Sequence, residues 1–129
     1  MRFFKIAVCF FAVCAYVLGA EQATYQKISA EKAYQIMQTS NDYILLDVRS
    51  AEEFKTKRIK GAILIPQYEL KERAKAELRD KNKMILVYCR SGGRSRAAAE
   101  ILADLGYKNV YDFGGIVNWE YETISGDTL

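Results

Sequence analysis

The 129-residue chain contains no histidine. That absence removes Ser-His-Asp and Cys-His catalysis, together with every His-ligated metal site. Cysteine is scarce too. Cys9 and Cys14 fall in an apolar N-terminal stretch, and Cys89 stands alone in the rest of the chain. One cysteine builds neither a Cys-rich zinc site nor an intramolecular disulfide. Proline occurs once, at Pro66, and no proline- or glycine-rich linker divides the chain. There is no internal repeat and no low-complexity segment. The length therefore fits one domain with a modest core. With half its residues hydrophobic and 27% charged, the composition is globular rather than disordered.

The N-terminus, "MRFFKIAVCFFAVCAYVLGAEQ", reads as a secretory signal over residues 1–20, leaving one domain over 21–129. Arg2 and Lys5 form its positive start. Ile6 to Ala20 carries no charge, and Gly19 and Ala20 precede the polar Glu21. The apolar run is short of the roughly 20 residues that span a bilayer. Cleavage near Ala20 is the expectation, with an uncleaved membrane anchor as the alternative. Leu18 leaves the exact cut open. Neither Cys9 nor Cys14 follows a small residue, which argues against a lipid-modified cysteine. Taking Arg2 and Lys5 from the 19 basic residues leaves 17 against 16 acidic ones, a net charge of +1. No nucleic-acid-binding stripe stands out. The expectation is an exported protein, in the periplasm or on another secretory route, without stable membrane association after cleavage.

Apolar runs alternate with helical patterns along the remainder. A short strand over Thr24–Ser29 precedes a helix over Ala30–Thr39, capped by Ser29. "YILLDV" (Tyr43–Val48) reads as a strand buried on both faces. "SAEE" (Ser50–Glu53) matches the capping-box pattern and opens a short helix. "AILIP" reads as a third strand closed by Pro66. Leu70, Ala74 and Leu78 mark a helix over Tyr68–Asp80. Lys83–Cys89 is the clearest strand, Ser95–Gly106 a strong helix, and "NVYDF" a last short strand. "IVNWEYE" suggests a short terminal helix. The pattern is that of an α/β fold with a mostly parallel central sheet and helices on both faces.

What is present concentrates in "VYCRSGGRSRAAAE", Val87–Glu100. Cys89 ends a strand at the sheet edge where open α/β folds bind ligands. Gly92 and Gly93 permit backbone angles that turn several N–H groups inward, and a helix starts near Ser95. Those donors and the helix dipole favour an anion at the loop centre, a thiolate or a persulfide. A free thiol is largely protonated at neutral pH, so such a loop activates it without histidine. The plainer reading is a small buried hydrophobe at a strand end. It accounts for the strand and not for the glycines, the arginines or the helix start. Cysteine phosphatases need Cys-x5-Arg. Here Arg94 arrives one place early, in Cys-x4-Arg, and Ser95 occupies the required position.

The chain resembles the rhodanese family, the thiosulfate sulfurtransferases. "LLDVRSAEEF", "IKGAILIP", "VYCRSGGRSRAAAEILADLGY" and "VYDFGGIVNWE" carry the resemblance and cover most of Ile44–Glu120. It implies the rhodanese-like fold and a double displacement with Cys89 as nucleophile. Thiosulfate or a similar sulfur donor, a protein persulfide among the candidates, would leave a Cys89 persulfide. That persulfide would pass its sulfur to cyanide or a thiol. The N–H groups of Arg90, Ser91, Gly92, Gly93, Arg94 and Ser95 would cradle the sulfur, and Arg90 and Arg94 would meet the donor's sulfonate end. Each arginine also has a reading as a solvated surface charge. Asp47 and Arg49 match the family's "DVR" and are expected mainly to fix loops. Trp119 is expected in the core or the pocket wall, and Tyr88 in strand packing. Arg58 stands where many relatives carry histidine, and two readings compete for it: lining the site's mouth, or an exposed basic loop. Neither a metal nor an organic cofactor is called for. A binding module of rhodanese type is the rival class, although such modules usually lack the cysteine.

Overall fold

A computed structural model describes residues 24–127; the N-terminal signal expected at 1–20 lies outside the described residues. The chain runs through β1 (Gln26–Lys27), α1 (Ala30–Thr39), β2 (Tyr43–Asp47), α2 (Ala51–Thr56), β3 (Arg58–Ile59) and β4 (Ile63–Leu64). A 3-10 turn, Gln67–Glu69, leads into α3 (Leu70–Glu77), β5 (Met84–Cys89), α4 (Gly93–Asp104) and β6 (Val110–Gly115). A second 3-10 turn, Ile116–Asn118, precedes β7 (Thr123–Ile124). Five strands form one sheet in the order β1-β6-β5-β2-β4, every neighbouring pair parallel. β5 therefore sits at the centre, and its C-terminal residue is Cys89.

Side-chain alternation along β2 and β5 divides the core into two layers. Leu46, Ile85, Val87 and Cys89 face Leu70, Ala74 and Leu78 of the α3 segment and Ala98, Ala99 and Leu102 of α4. Leu45, Leu86 and Tyr88 face the other way, onto Ala33 of α1, Ile59, Phe113 and Trp119. Helices thus cover both faces, as the pattern predicts. Each fully buried Leu or Ile contributes roughly 1.5–3 kcal/mol of burial. Leu46, Ile85, Leu86 and Leu102 are all 0% exposed, so the central strands are anchored on both sides. The alanines of α4 let that helix sit close against the strand that carries the cysteine.

Three expectations need correction. The strand in "AILIP" shrinks to Ile63–Leu64, because Pro66 has no N–H to extend the ladder and opens the 3-10 turn. The terminal helix in "IVNWEYE" does not form. Trp119 is extended (φ −83°, ψ 112°) and packs its ring among Tyr34, Phe113 and Tyr121. Burial of the indole outweighs helix continuation, and the chain then pairs antiparallel with β3, Arg58 opposite Ile124. Arg58 is not the exposed loop cation of the second reading. It is 7% exposed, and its Nη1 donates to the Phe54 and Gly126 carbonyls at 3.2 and 2.8 Å. Its guanidinium also lies over the Phe54 ring. A buried Arg58 therefore holds the β3–β7 ribbon and the chain's end together.

Candidate active site

β5 delivers Cys89 to the C-terminal edge of the sheet, and α4 begins four residues later at Gly93. Gly92 turns the chain between them with φ +116°, a left-handed conformation that glycine adopts without strain. The helix thus starts two residues before Ser95 and brings its N-terminal amides under the sulfur. Gly92 N donates to Cys89 Sγ at 3.0 Å, and the thiol lies 3.5 Å from Ser95 Oγ. The Ser95 hydroxyl also reaches the carbonyls of Gly92 and Gly114, at 3.1 and 3.4 Å. Ser95 is 0% and Cys89 1% exposed, so the sulfur lies at the bottom of the loop. Burial pushes the thiol's pKa up. The Ser95 hydroxyl and the amides of Ser95, Gly92 and Ser91 pull it down, and the net shift is downward. The N-terminal end of a twelve-residue helix adds positive potential at the same point.

The three flanking cations separate into different roles. Arg94 forms a bidentate ion pair with Glu53 of α2, at 2.6 and 2.9 Å. Arg49 is buried and pairs bidentately with Asp47, which is itself 0% exposed. Its Nη2 also donates to the Lys57 carbonyl. Asp47 accepts the Arg49 backbone N–H as well, at 3.0 Å. Asp47 and Arg49 therefore fix the β2–α2 turn, the structural role expected of the "DVR" match. The Arg90 guanidinium is exposed and has no hydrogen-bond or ion-pair partner among the described residues. It lines a pocket of about 370 Å³ with Arg49, Glu53, Lys57, Ile116 and Val117. Arg58 is not among that pocket's lining residues.

Tyr88, beside Cys89 in β5, points to the opposite face and accepts the Ile59 N–H at 3.1 Å. Burial, and then the Asp47 carboxylate, raise its pKa, so it stays a neutral hydroxyl. It is strand packing with a polar handle, as expected.

Sequence reasoning missed two contributors. Glu53 is legible as the capping-box glutamate of α2, and that box is present; nothing local announces that the same carboxylate holds Arg94, 41 residues away. Gly114 and Gly115 read as a turn, yet the Gly114 carbonyl accepts from Ser95 and Gly115 packs against Arg90 and Ser91 of the cysteine loop. The glycine pair inside the quoted "VYDFGGIVNWE" is the available signal.

A family model described as the rhodanese-like domain matches residues 29–122. Thiosulfate sulfurtransferase PspE of Escherichia coli is 38% identical over 81 residues, 63% of this chain and 78% of the relative. Thiosulfate sulfurtransferase GlpE of Actinobacillus succinogenes is 36% identical over 100 residues, 74% of this chain and 85% of the relative. Among solved structures, an Escherichia coli rhodanese with anions aligns at TM-score 0.61 and 37% identity, covering 65% of this chain and 99% of that one. A rhodanese-related protein from Thermoplasma volcanium aligns at TM-score 0.67 and 35% identity, covering 78% and 98%. The parallel sheet, the cysteine at the end of its central strand and the matched span agree, and the chain belongs to the rhodanese family.

Proposed function

We propose that the protein is a sulfurtransferase that carries sulfane sulfur on Cys89. The observation that supports it best is the sulfur's position. Cys89 Sγ accepts the Gly92 N–H, sits within reach of the Ser95 hydroxyl, and faces the start of α4. Such a cradle stabilises a thiolate before transfer and an anionic persulfide after it. The Cys89 thiolate attacks the outer sulfur of thiosulfate. The donor's S–S bond breaks, and sulfite departs with the electron pair. The acceptor, cyanide or a thiol, then attacks the outer sulfur of the persulfide, and the Cys89 thiolate leaves. Each half-reaction forms one bond to the travelling sulfur and breaks one, so no cofactor is required.

Arg90 is the residue best placed to meet the sulfonate end of the donor, because its charge is uncommitted. Polysulfide or a protein persulfide are donors of the same chemistry. The N-terminal signal read over residues 1–20 supports an exported, periplasmic protein. No helix among the described residues is long and apolar enough to cross a membrane.

Intact-mass measurement after exposure to thiosulfate tests the reading. The expected result is a gain of about 32 Da, one sulfur atom, with release of sulfite and cyanide-dependent formation of thiocyanate. Cys89→Ser is expected to show neither. A folded wild-type protein that gains no sulfur from thiosulfate, polysulfide or a protein persulfide would sink the reading and favour a binding module.

A further inference from the structure

The amides that face Cys89 can do so only if the carbonyls of the same peptides face away. A trans peptide sends its C=O and N–H in opposite directions. Two carbonyls of the loop have visible anchors. Gly92 O accepts the Ser95 hydroxyl and the Arg96 N–H, both at 3.1 Å, within the first turn of α4. Arg90 O is held from outside the loop: it accepts the Val117 N–H at 3.1 Å. The other end of that peptide is the Ser91 N–H, and the next peptide along carries the Gly92 N–H that donates to the sulfur at 3.0 Å.

Gly115 supports the same peptide sterically. A Cβ added there would lie 2.6 Å from Ser91 Cα, 2.7 Å from the Arg90 carbonyl carbon, and closer still to the carbonyl oxygen. The Gly115 backbone (φ −115°, ψ 146°) is ordinary extended chain that any residue adopts. Space, and not conformation, therefore demands glycine. The position is prepared by a bulge: β5 and β6 pair Val87 with Asp112 but Cys89 with Gly115, one extra residue on β6. Asp112 is 2% exposed, and its Oδ1 accepts the Gly114 N–H at 2.9 Å, which pins the bulged turn.

We propose that the β6 bulge is a positioning device, in which Gly115 and the Val117 amide seat the Arg90 carbonyl and Ser91 and so aim the following Gly92 N–H at the Cys89 sulfur. The inference deepens the reading of Cys89 as a sulfur carrier and rests on it for its purpose. Its geometry concerns the thiolate alone. Neither Gly115 nor Val117 need touch the reacting atoms.

The test is Gly115→Ala, read by ultraviolet titration of the Cys89 thiolate and by the pH profile of iodoacetamide alkylation. The displaced Arg90 carbonyl and Ser91 should carry the Gly92 N–H off the sulfur. The expected result is about tenfold less thiolate at neutral pH and a matching fall in alkylation rate, with the folded circular-dichroism spectrum retained. Val117→Pro removes the anchoring N–H without adding bulk at residue 115, and the same change is expected. Val117→Ala keeps the N–H and should titrate like wild type. A folded Gly115→Ala or Val117→Pro protein with wild-type titration overturns the proposal, as does a shifted Val117→Ala. Should neither of the first two fold, amide exchange in the wild type decides: a protected Val117 N–H supports the proposal, and one exchanging like free amide overturns it. A wild type that gains no sulfur from donors would instead sink the carrier reading, whatever the variants' titrations show.

Discussion

Glu53 and Arg94 close a bidentate ion pair of 2.6 and 2.9 Å between α2 and the first turn of α4. The Glu53 carboxylate also accepts the Ser50 N–H and hydroxyl, at 3.3 and 3.1 Å, so one side chain caps its own helix and clamps the start of α4. Arg94 is thereby tied to Glu53. Glu53→Gln keeps the volume and removes the charge. The expected result is a fall in kcat of about tenfold, equivalent to ~1.4 kcal/mol, with KM for thiosulfate little changed. Arg94→Lys should behave alike, because an ammonium cannot make the fork. Steady-state kinetics decides. A raised KM with unchanged kcat in Arg94→Lys would return Arg94 to the donor.

The same pair makes an acid-sensitive latch. Arg94, then the Ser50 donors, hold Glu53 at a pKa of about 2, below its ordinary 4.5. A depressed folded-state pKa gives stability that is fully present above about pH 4.5 and is lost as pH falls toward 2. The pair is partly exposed, so its contribution is about 1 kcal/mol or less. Urea midpoints measured across that window should fall more steeply for wild type than for Glu53→Gln. The other carboxylates titrate in both proteins and cancel. Parallel curves would mean that the latch carries no stability.

Arg90 presents the opposite case, an exposed guanidinium beside the pocket without a partner among the described residues. Arg90→Ala removes no packing and no ion pair, so the melting temperature should stay unchanged. The KM for dianionic thiosulfate should rise roughly tenfold, the cost of one charge-assisted contact. A less charged persulfide donor should lose less. Comparing the two donors on the same variant separates charge recognition from a general loss of activity.

Much of this arrangement is written locally and some of it is not. The alternating apolar runs announce the strands, and Ser50 with Glu53 announces the start of α2. Gly92 and Gly93 beside Cys89 announce an anion loop. These signals lie within one turn or one strand of the residue they position. The Glu53–Arg94 clamp and the seat of the Arg90 carbonyl on Val117 join distant segments, and each partner has a sufficient local reason to be there. The capping box explains Glu53, and a turn explains Gly115. The C-terminal segment misleads for a related reason. Ile116, Val117 and Trp119 suit a helix by spacing, but the indole gains more from the aromatic cluster on the second face of the sheet. Arg58 looks like a surface cation in "KTKRIKG" until the carbonyls of Phe54 and Gly126 close over it.

Ser95 offers the sharpest measure of how the loop activates its cysteine. The residue is wholly buried, and its hydroxyl serves the sulfur and the carbonyls of Gly92 and Gly114. With the thiol protonated, the Cys89 S–H donates to Ser95 Oγ. Once the sulfur is ionised it can only accept, so the hydroxyl must turn to donate. Ser95→Ala removes that donor and leaves burial, which raises the thiol pKa, less opposed. The Gly92 carbonyl keeps the Arg96 N–H, so the start of α4 should hold. The pH profile of alkylation should therefore move to higher pH. A wild-type rate that has levelled off should still be rising in the variant at the same pH. At neutral pH the variant's thiolate fraction should be lower by about tenfold, and persulfide formation from thiosulfate should slow in proportion. Stopped-flow alkylation across pH 5–10 measures the first expectation, and intact mass after timed exposure to donor measures the second. If the variant slowed persulfide formation without moving the alkylation profile, Ser95 would be acting on the donor and not on the thiol.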